Sequence, residues 1–200
     1  MSTNYSGRTH HKELADNILQ EYAVISKEFS EFQTKSKLTC IEGCGKCCFK
    51  PDIYCSPSEL LPLALELVER GDAQRVYDLC CAKEHERCMF LNVLSEDGFK
   101  AKCDAYQFRP LICRTFGVSA RHGKNQRVDI SVCKTLQEEK AEDYQYLLAS
   151  SQEDSSQLPF IDASKNTLLT LDPSLQDEEM PINKALKVML EKVLLAHSFE

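Results

Sequence analysis

No stretch of this chain is apolar for long enough to span a bilayer. The residues from Met1 to Asn17 are polar and carry neither the apolar run of a secretory signal nor the pattern of a transit helix. Export and membrane insertion are therefore not expected, and a cytoplasmic setting is. Positive charge is also scarce: 24 Lys and Arg stand against 31 Asp and Glu, for a formal net charge of −7. Nucleic acid and anionic membrane are poor partners for such a chain, since both are held through clustered cations. Glycine-rich nucleotide loops with a following acidic residue are absent, as are internal repeats. The five histidines, His10, His11, His85, His122 and His197, share no ligand spacing with the cysteines. Only His85, just ahead of Cys88, lies near enough to test, and a surface position is expected for it.

What the chain has in quantity is cysteine, 11 in 200 residues. Without an export signal these are not a disulfide framework, because the cytosol keeps thiols reduced. An odd total also forbids complete internal pairing. Ligands, redox thiols and buried small hydrophobes are the roles that remain. Eight of them form a graded series: Cys40, Cys44, Cys47 and Cys48 in one short run, then Cys88, Cys103, Cys113 and Cys133 spaced out behind. The run reads C-x3-C-x2-C-C, with Gly43 and Gly45 flanking Cys44 so that the backbone can turn tightly. Thiolates converging in this way suit zinc or iron–sulfur, both of which favour a closed four-sulfur shell. Cys47 and Cys48 are adjacent, and neighbouring side chains diverge by about 100° on a helix or to opposite faces of a strand. Two centres, one multinuclear cluster, or one ligand backed by a non-ligating thiol all fit that adjacency.

Hydrophobic periodicity places these cysteines among helices. Leu14, Ile18, Tyr22, Ile25, Phe29 and Phe32 recur at intervals of four and three, predicting a helix from about His10 to Lys35 with one apolar stripe. A second helix begins with Ser56 as N-cap, Pro57 in the first turn and Glu59 completing a capping box, and stops at Gly71. Asp72 is placed to cap a third, which carries Val76, Leu79, Cys80 and Cys81. Strands are expected over Cys88 to Leu94 and Phe99 to Cys103, joined through Asp97-Gly98, which brings Cys88 towards Cys103. Arg109-Pro110 opens a helical turn holding Cys113 and Arg114. A second extended pair is expected within Val118 to Ile130, around His122 to Asn125, returning the chain to Cys133. Lys134 to Ser150 reads as helix with Leu136, Tyr144, Leu147 and Leu148 inward. Ser151 to Gln157 reads as a solvated linker. Leu168 to Leu171 reads as a short extended piece, and Pro181 opens a last helix with Leu186, Met189, Leu190, Val193 and Leu194 on its apolar face.

The phrase Cys103-Asp-Ala-Tyr106-Gln-Phe-Arg109-Pro110-Leu-Ile-Cys113-Arg114, joined to Cys44-Gly-Lys-Cys47-Cys48 and Cys88-Met-Phe-Leu91, resembles the YkgJ-like cysteine-cluster family, a zinc- or iron-chelating domain. The resemblance runs from about Cys40 to Cys133. It implies a metal or iron–sulfur centre on eight cysteines, Cys40, Cys44, Cys47, Cys48, Cys88, Cys103, Cys113 and Cys133. Some relatives are similar to a flagellin lysine N-methylase, but no cofactor loop for S-adenosylmethionine is visible here.

Cys55, Cys80 and Cys81 lie outside that motif. Cys80 and Cys81 are expected to pack as buried thiols. Cys55 sits beside a helix N-terminus, where a thiolate is favoured, although burial explains it as well. Lys46, Lys50, Arg87, Lys102, Arg114 and Lys134 each lie within two positions of a motif cysteine. A four-thiolate zinc site or a cubane keeps a net charge of about −2, which nearby cations offset; ordinary solvated charge is the alternative for the lysines. Arg109 and Arg114 are the better candidates for contact with the cofactor and its loop, because a planar guanidinium bridges several acceptors at once. Tyr106 and Phe108 are read as packing around the site.

The expected fold is mainly α with small β hairpins: an N-terminal helix over 1–35, a cysteine-cluster metal-binding region over 36–135 and a C-terminal helical extension over 136–200 with a polar linker at 151–157. The expected function is metal binding, iron–sulfur or zinc, in a structural or electron-transfer role. The adjacent cysteines and the two groups of four favour iron–sulfur. A protein-modifying methyltransferase and a metal-free thiol redox sensor are the alternatives.

Overall fold

The computed structural model describes residues 5–84, 86–96, 100–124, 127–176 and 178–198. In chain order the elements are α1 (Tyr5–Lys35), β1 (Tyr54–Cys55), α2 (Leu61–Glu69), α3 (Ala73–Ala82), β2 (Leu91–Val93), β3 (Ala101–Cys103), α4 (Leu111–Arg114), β4 (Val118–His122), β5 (Val128–Val132), α5 (Lys134–Glu139), α6 (Ala141–Glu153), α7 (Ile161–Leu171), β6 (Met180–Pro181) and α8 (Ile182–Ser198). The architecture is mainly α with small antiparallel strand pairs. The pairs are β1 with β6, β2 with β3, and β4 with β5.

The predicted stripe of α1 is buried: Ile18, Tyr22, Ile25 and Phe29 pack with α2 and α7 in one core that also takes Leu186, Leu190 and Val193 of α8, equally sealed. Each large apolar side chain withdrawn in this way contributes roughly 1.5–3 kcal/mol before chain entropy is counted. Phe32, at the far end of the stripe, packs instead against a second cluster of Leu38, Val118, Ala120, Leu136, Leu147 and Leu158. One long helix thus spans both cores, and the cysteine loops are slung between them. Among the described residues no helix is long and apolar enough to cross a membrane.

The ends of α2 and the start of α3 follow their local punctuation. A 3₁₀ turn at Pro57–Leu60 leads into α2, and the Ser56 N–H donates to Glu59 Oε1 at 3.0 Å, the Glu59 side of the capping box. Gly71 ends α2 at φ +73°, with Asp72 N–H to Leu67 O and Gly71 N–H to Val68 O closing a Schellman motif. Asp72 holds the N-cap position of α3 without a side-chain cap, its carboxylate turning to Arg75.

Elsewhere the structure departs from expectation. Helix α1 begins at Tyr5 rather than near His10. The helix expected over 134–150 breaks at Lys140 into α5 and α6, and α6 continues to Glu153, so the irregular stretch begins at Asp154. Leu168 to Leu171 is not extended but the last turn of α7. A short apolar run read alone cannot separate a strand from a buried helix segment; here Ile161 and Leu168 fall on one helical face. The β1–β6 pair, joining Tyr54–Cys55 to Met180–Pro181, had no signal in the sequence. His85, the Asp97-Gly98 turn with Phe99, and Asn125 lie outside the described residues.

Candidate metal centre

The first thiols hang on a turn whose glycines have separate jobs. Cys44 N–H donates to Ile41 O at 3.1 Å, and Gly43 takes φ +72°. Gly45 allows close approach: a Cβ there would lie 2.3 Å from the Cβ of Ala101. The turn docks on the β2–β3 hairpin through Ala101 N–H to Gly43 O at 2.8 Å and a bridge between Cys44 and Lys100. A 3₁₀ turn at Lys46–Phe49 carries Cys47 and Cys48, and it holds their sulfurs only 3.8 Å apart rather than splaying them.

The later thiols arrive on separate elements. Cys103 closes β3 opposite Leu91, and Cys88 lies in the loop just before β2. Cys113 sits in α4, and Cys133 caps α5 with its N–H donating to Gly117 O at 2.7 Å. All eight motif cysteines line one cavity of about 1010 Å³, together with Lys102, Arg109 and Arg114. Cys55, Cys80 and Cys81 do not line it. Among the described residues, no three His, Cys, Asp or Glu side chains stand close enough together to hold an ion as they are.

Polar side chains from the helices pin the loops that carry these thiols. Glu59, nearly buried, accepts the N–H of Leu111 at 2.8 Å and the Tyr22 hydroxyl at 3.3 Å, which fixes the start of the Cys113 turn. Arg114 lies 4.4 Å over the Tyr22 ring, donates to Arg109 O at 2.6 Å and Ser26 Oγ at 3.0 Å, and bonds the carbonyl of Gln107. Arg109 stacks 3.6 Å over Tyr106 and donates to Tyr106 O at 3.2 Å and Cys113 O at 3.3 Å. These guanidinium contacts clamp the Tyr106–Arg114 segment onto α1. Asn183 of α8 does the same for the Cys88 loop, bonding four backbone groups between Lys83 and Met89. Lys140 Nζ donates to the carbonyls of Lys37 at 2.7 Å and Thr39 at 3.3 Å, just ahead of Cys40. Glu59 was legible as a cap but not as an anchor of Cys113; Asn183 and Lys140 had no sequence signal.

Electrostatics at the thiols follow from burial and crowding. Burial pushes the Cys40 thiol up, and Cys44, Cys47 and Cys133 add to it. Cys47 is raised further, chiefly by its bond with Cys48 and then by burial. Burial lifts Cys88 to about 11, and Cys103 opposes its ionisation too. Cys103 itself is raised by burial against the Ala105 N–H and Arg109. Cys113 is raised strongly by burial and by Cys88, with Arg109 opposing. The thiols oppose one another's ionisation: Cys44, Cys47 and Cys133 act on Cys40, while Cys88, Cys103 and Cys47 act on Cys113, and Cys88 and Cys113 act on the core thiol of Cys55 as well.

The other cysteines differ. Cys80 is buried with its Sγ 3.3 Å from Met89 Sδ, as expected of a packed thiol. Cys81 is exposed instead, because it lies on the outer side of α3. Cys55 is sealed in the core, and burial and Glu59 push its thiol well up, so the adjacent helix start does not make it a thiolate. Tyr106 is mostly exposed while its ring supports Arg109, and Phe108 packs against the main core.

Comparison with protein families matches residues 39–149 to the CxxCxxCC family, described as "Putative zinc- or iron-chelating domain". The match covers more than half of the chain, and the protein belongs to this family. That membership assigns the cysteine-rich region to metal chelation. No curated protein and no solved structure matches the chain.

Proposed function

We propose that Cys40, Cys44, Cys47, Cys48, Cys88, Cys103, Cys113 and Cys133 are the ligands of an iron–sulfur or zinc centre with a structural or electron-transfer role. The observation that carries this reading is the cavity lined by all eight motif cysteines and by none of the other three. The donor set fits. Cys40, Cys47, Cys88, Cys103 and Cys113 resist ionisation by themselves, whereas a bound cation would reverse that preference and take them as thiolates. Lys102, Arg109 and Arg114 face the same cavity and offset the negative charge that a thiolate-rich centre retains.

The metal supplies the positive charge that gathers the thiolates; the chain supplies their presentation. Glu59, Asn183, Lys140 and the two arginines hold the backbone on either side of the ligands, and the thiols would have to draw together from the cavity wall to enclose an ion. Part of the binding energy is then folding energy. Eight thiols around one cavity exceed the four-ligand shell of a single zinc, which favours iron–sulfur. A metal-free redox sensor needs exposed thiols of low pKa, and burial moves Cys40, Cys88, Cys103 and Cys113 the other way.

Elemental and sulfide analysis of protein isolated without oxygen is the test. Iron with inorganic sulfide and broad visible absorption is the expected result. Colourless protein with stoichiometric zinc replaces the iron–sulfur form by the zinc form, and protein free of both metals overturns the reading.

A further inference from the structure

A second cleft, of about 650 Å³, adjoins the thiol cavity and shares Cys47, Cys133, Ile112, Phe116 and Gly117 with it. Its charge runs against that of the molecule. Lys46 and Lys50 from the 3₁₀ turn, Arg121 from β4 and Lys134 from α5 all line it, against one carboxylate, Glu138, in a chain where acidic residues outnumber basic ones by 31 to 24. None of these four cations lines the thiol cavity, where Lys102, Arg109 and Arg114 already stand. Lys46 and Lys134 adjoin Cys47 and Cys133 in the chain and can offset them, whereas Arg121 has no motif cysteine near it in sequence, so thiolate charge alone does not account for the set. Asp129, the cross-strand neighbour of Arg121, is engaged by Arg127 at 3.6 Å.

The rest of the cleft suits a molecule with two kinds of surface. Ile112 and Ile161 supply apolar surface, and Ser119 and Ser131, opposite each other across β4 and β5, supply hydroxyls. The volume is that of a small-molecule site rather than a macromolecular groove. We propose that this cleft binds a small organic anion, a phosphate or carboxylate on an apolar body, beside the wall formed by Cys47 and Cys133. The cleft stands on its own residues; its place next to a metal centre rests on the function proposed above.

The test is calorimetric titration of the purified full chain, as isolated, with phenyl phosphate, benzoate and the neutral control phenol, with metal content measured on the same sample. Saturable binding of at least one anion, at least tenfold tighter than phenol and weakening as salt rises, is expected. The tighter anion identifies the head group. Arg121→Gln is expected to weaken that binding at least threefold at unchanged metal content, and Lys134→Gln to weaken it as well. Anion binding no tighter than phenol overturns the proposal. So does native affinity in both variants. Protein that lacks metal yet binds the anion through Arg121 overturns the metal reading and leaves the cleft standing.

Discussion

Asn183 accepts the Met89 N–H on its side-chain oxygen at 3.1 Å, and its amide group donates to the carbonyls of Lys83, Glu86 and Arg87 at 2.8, 3.3 and 3.1 Å. A buried side chain in the C-terminal helix thus sets the path of the loop that presents Cys88. Asn183→Ala leaves those backbone groups without their partner and is expected to cost about 1–3 kcal/mol, with a parallel fall in metal content. Asn183→Asp is expected to be at least as damaging, since a carboxylate then faces three carbonyl oxygens. Chemical denaturation beside metal analysis checks both; native stability in Asn183→Ala would remove the anchor from the account.

Ligand and packing cysteines are expected to separate on substitution. Cys44→Ser and Cys113→Ser should lower metal content and Tm together, whereas Cys80→Ser, beside Met89, should leave metal content near native. Equal metal loss from all three would refute the ligand assignment.

Removing metal with a chelator under reducing conditions is expected to lower Tm and to expose the cavity thiols. Alkylation read by mass spectrometry should then mark Cys88, Cys103 and Cys113 faster than before. Cys81 is exposed and should react in both states, while the sealed Cys55 stays protected in both. Labelling that chelation leaves unchanged would count against ligation.

The Gly45–Ala101 approach makes a sharper test of packing. Gly45→Ala puts a methyl 2.3 Å from the Ala101 Cβ, and overpacking of this kind typically costs about 1–3 kcal/mol. Ala101→Gly should return much of that loss. A double-mutant cycle reads the coupling, and strict additivity of the two changes would show that the contact does not exist.

Asp162 gives a pH prediction. Burial opposes its ionisation, but the bonds from the His122 ring, at 2.5 Å, and from the His122 N–H, at 3.2 Å, together outweigh it and hold the carboxyl below the usual aspartate range. A folded pKa below the unfolded one adds stability above the ordinary aspartate range, and that contribution disappears as pH falls through the folded pKa. The pair is largely exposed, so the effect is about a few tenths of a kcal/mol. Asp162→Asn should flatten that small acid-side slope in denaturation midpoints taken across pH; an unchanged slope would argue against the tether between β4 and α7.

What could be read from the sequence was local. The α1 stripe, the Pro57 to Gly71 punctuation and the paired runs of β2–β3 and β4–β5 each declare themselves within a few residues, through periodicity and caps. The early cysteine run announced its chemistry for the same reason. What could not be read depends on distant partners. Leu168 to Leu171 is helical because its apolar face meets a core built by α1. Asn183 looks like any helical asparagine until the Cys88 loop lies against it. The Tyr54 to Pro181 pairing joins segments that carry no strand signal of their own. Cys81 went the other way, exposed on the outer side of a helix that its neighbour Cys80 anchors.

The anchor for the Cys88 loop is encoded 94 positions after Met89. During synthesis every cysteine has therefore emerged before the asparagine that steadies that loop is made. For that interval the Cys88 loop lacks the side chain that sets its path. A chain stalled short of Asn183 is expected to hold that loop, and the Cys88 thiol it carries, less firmly.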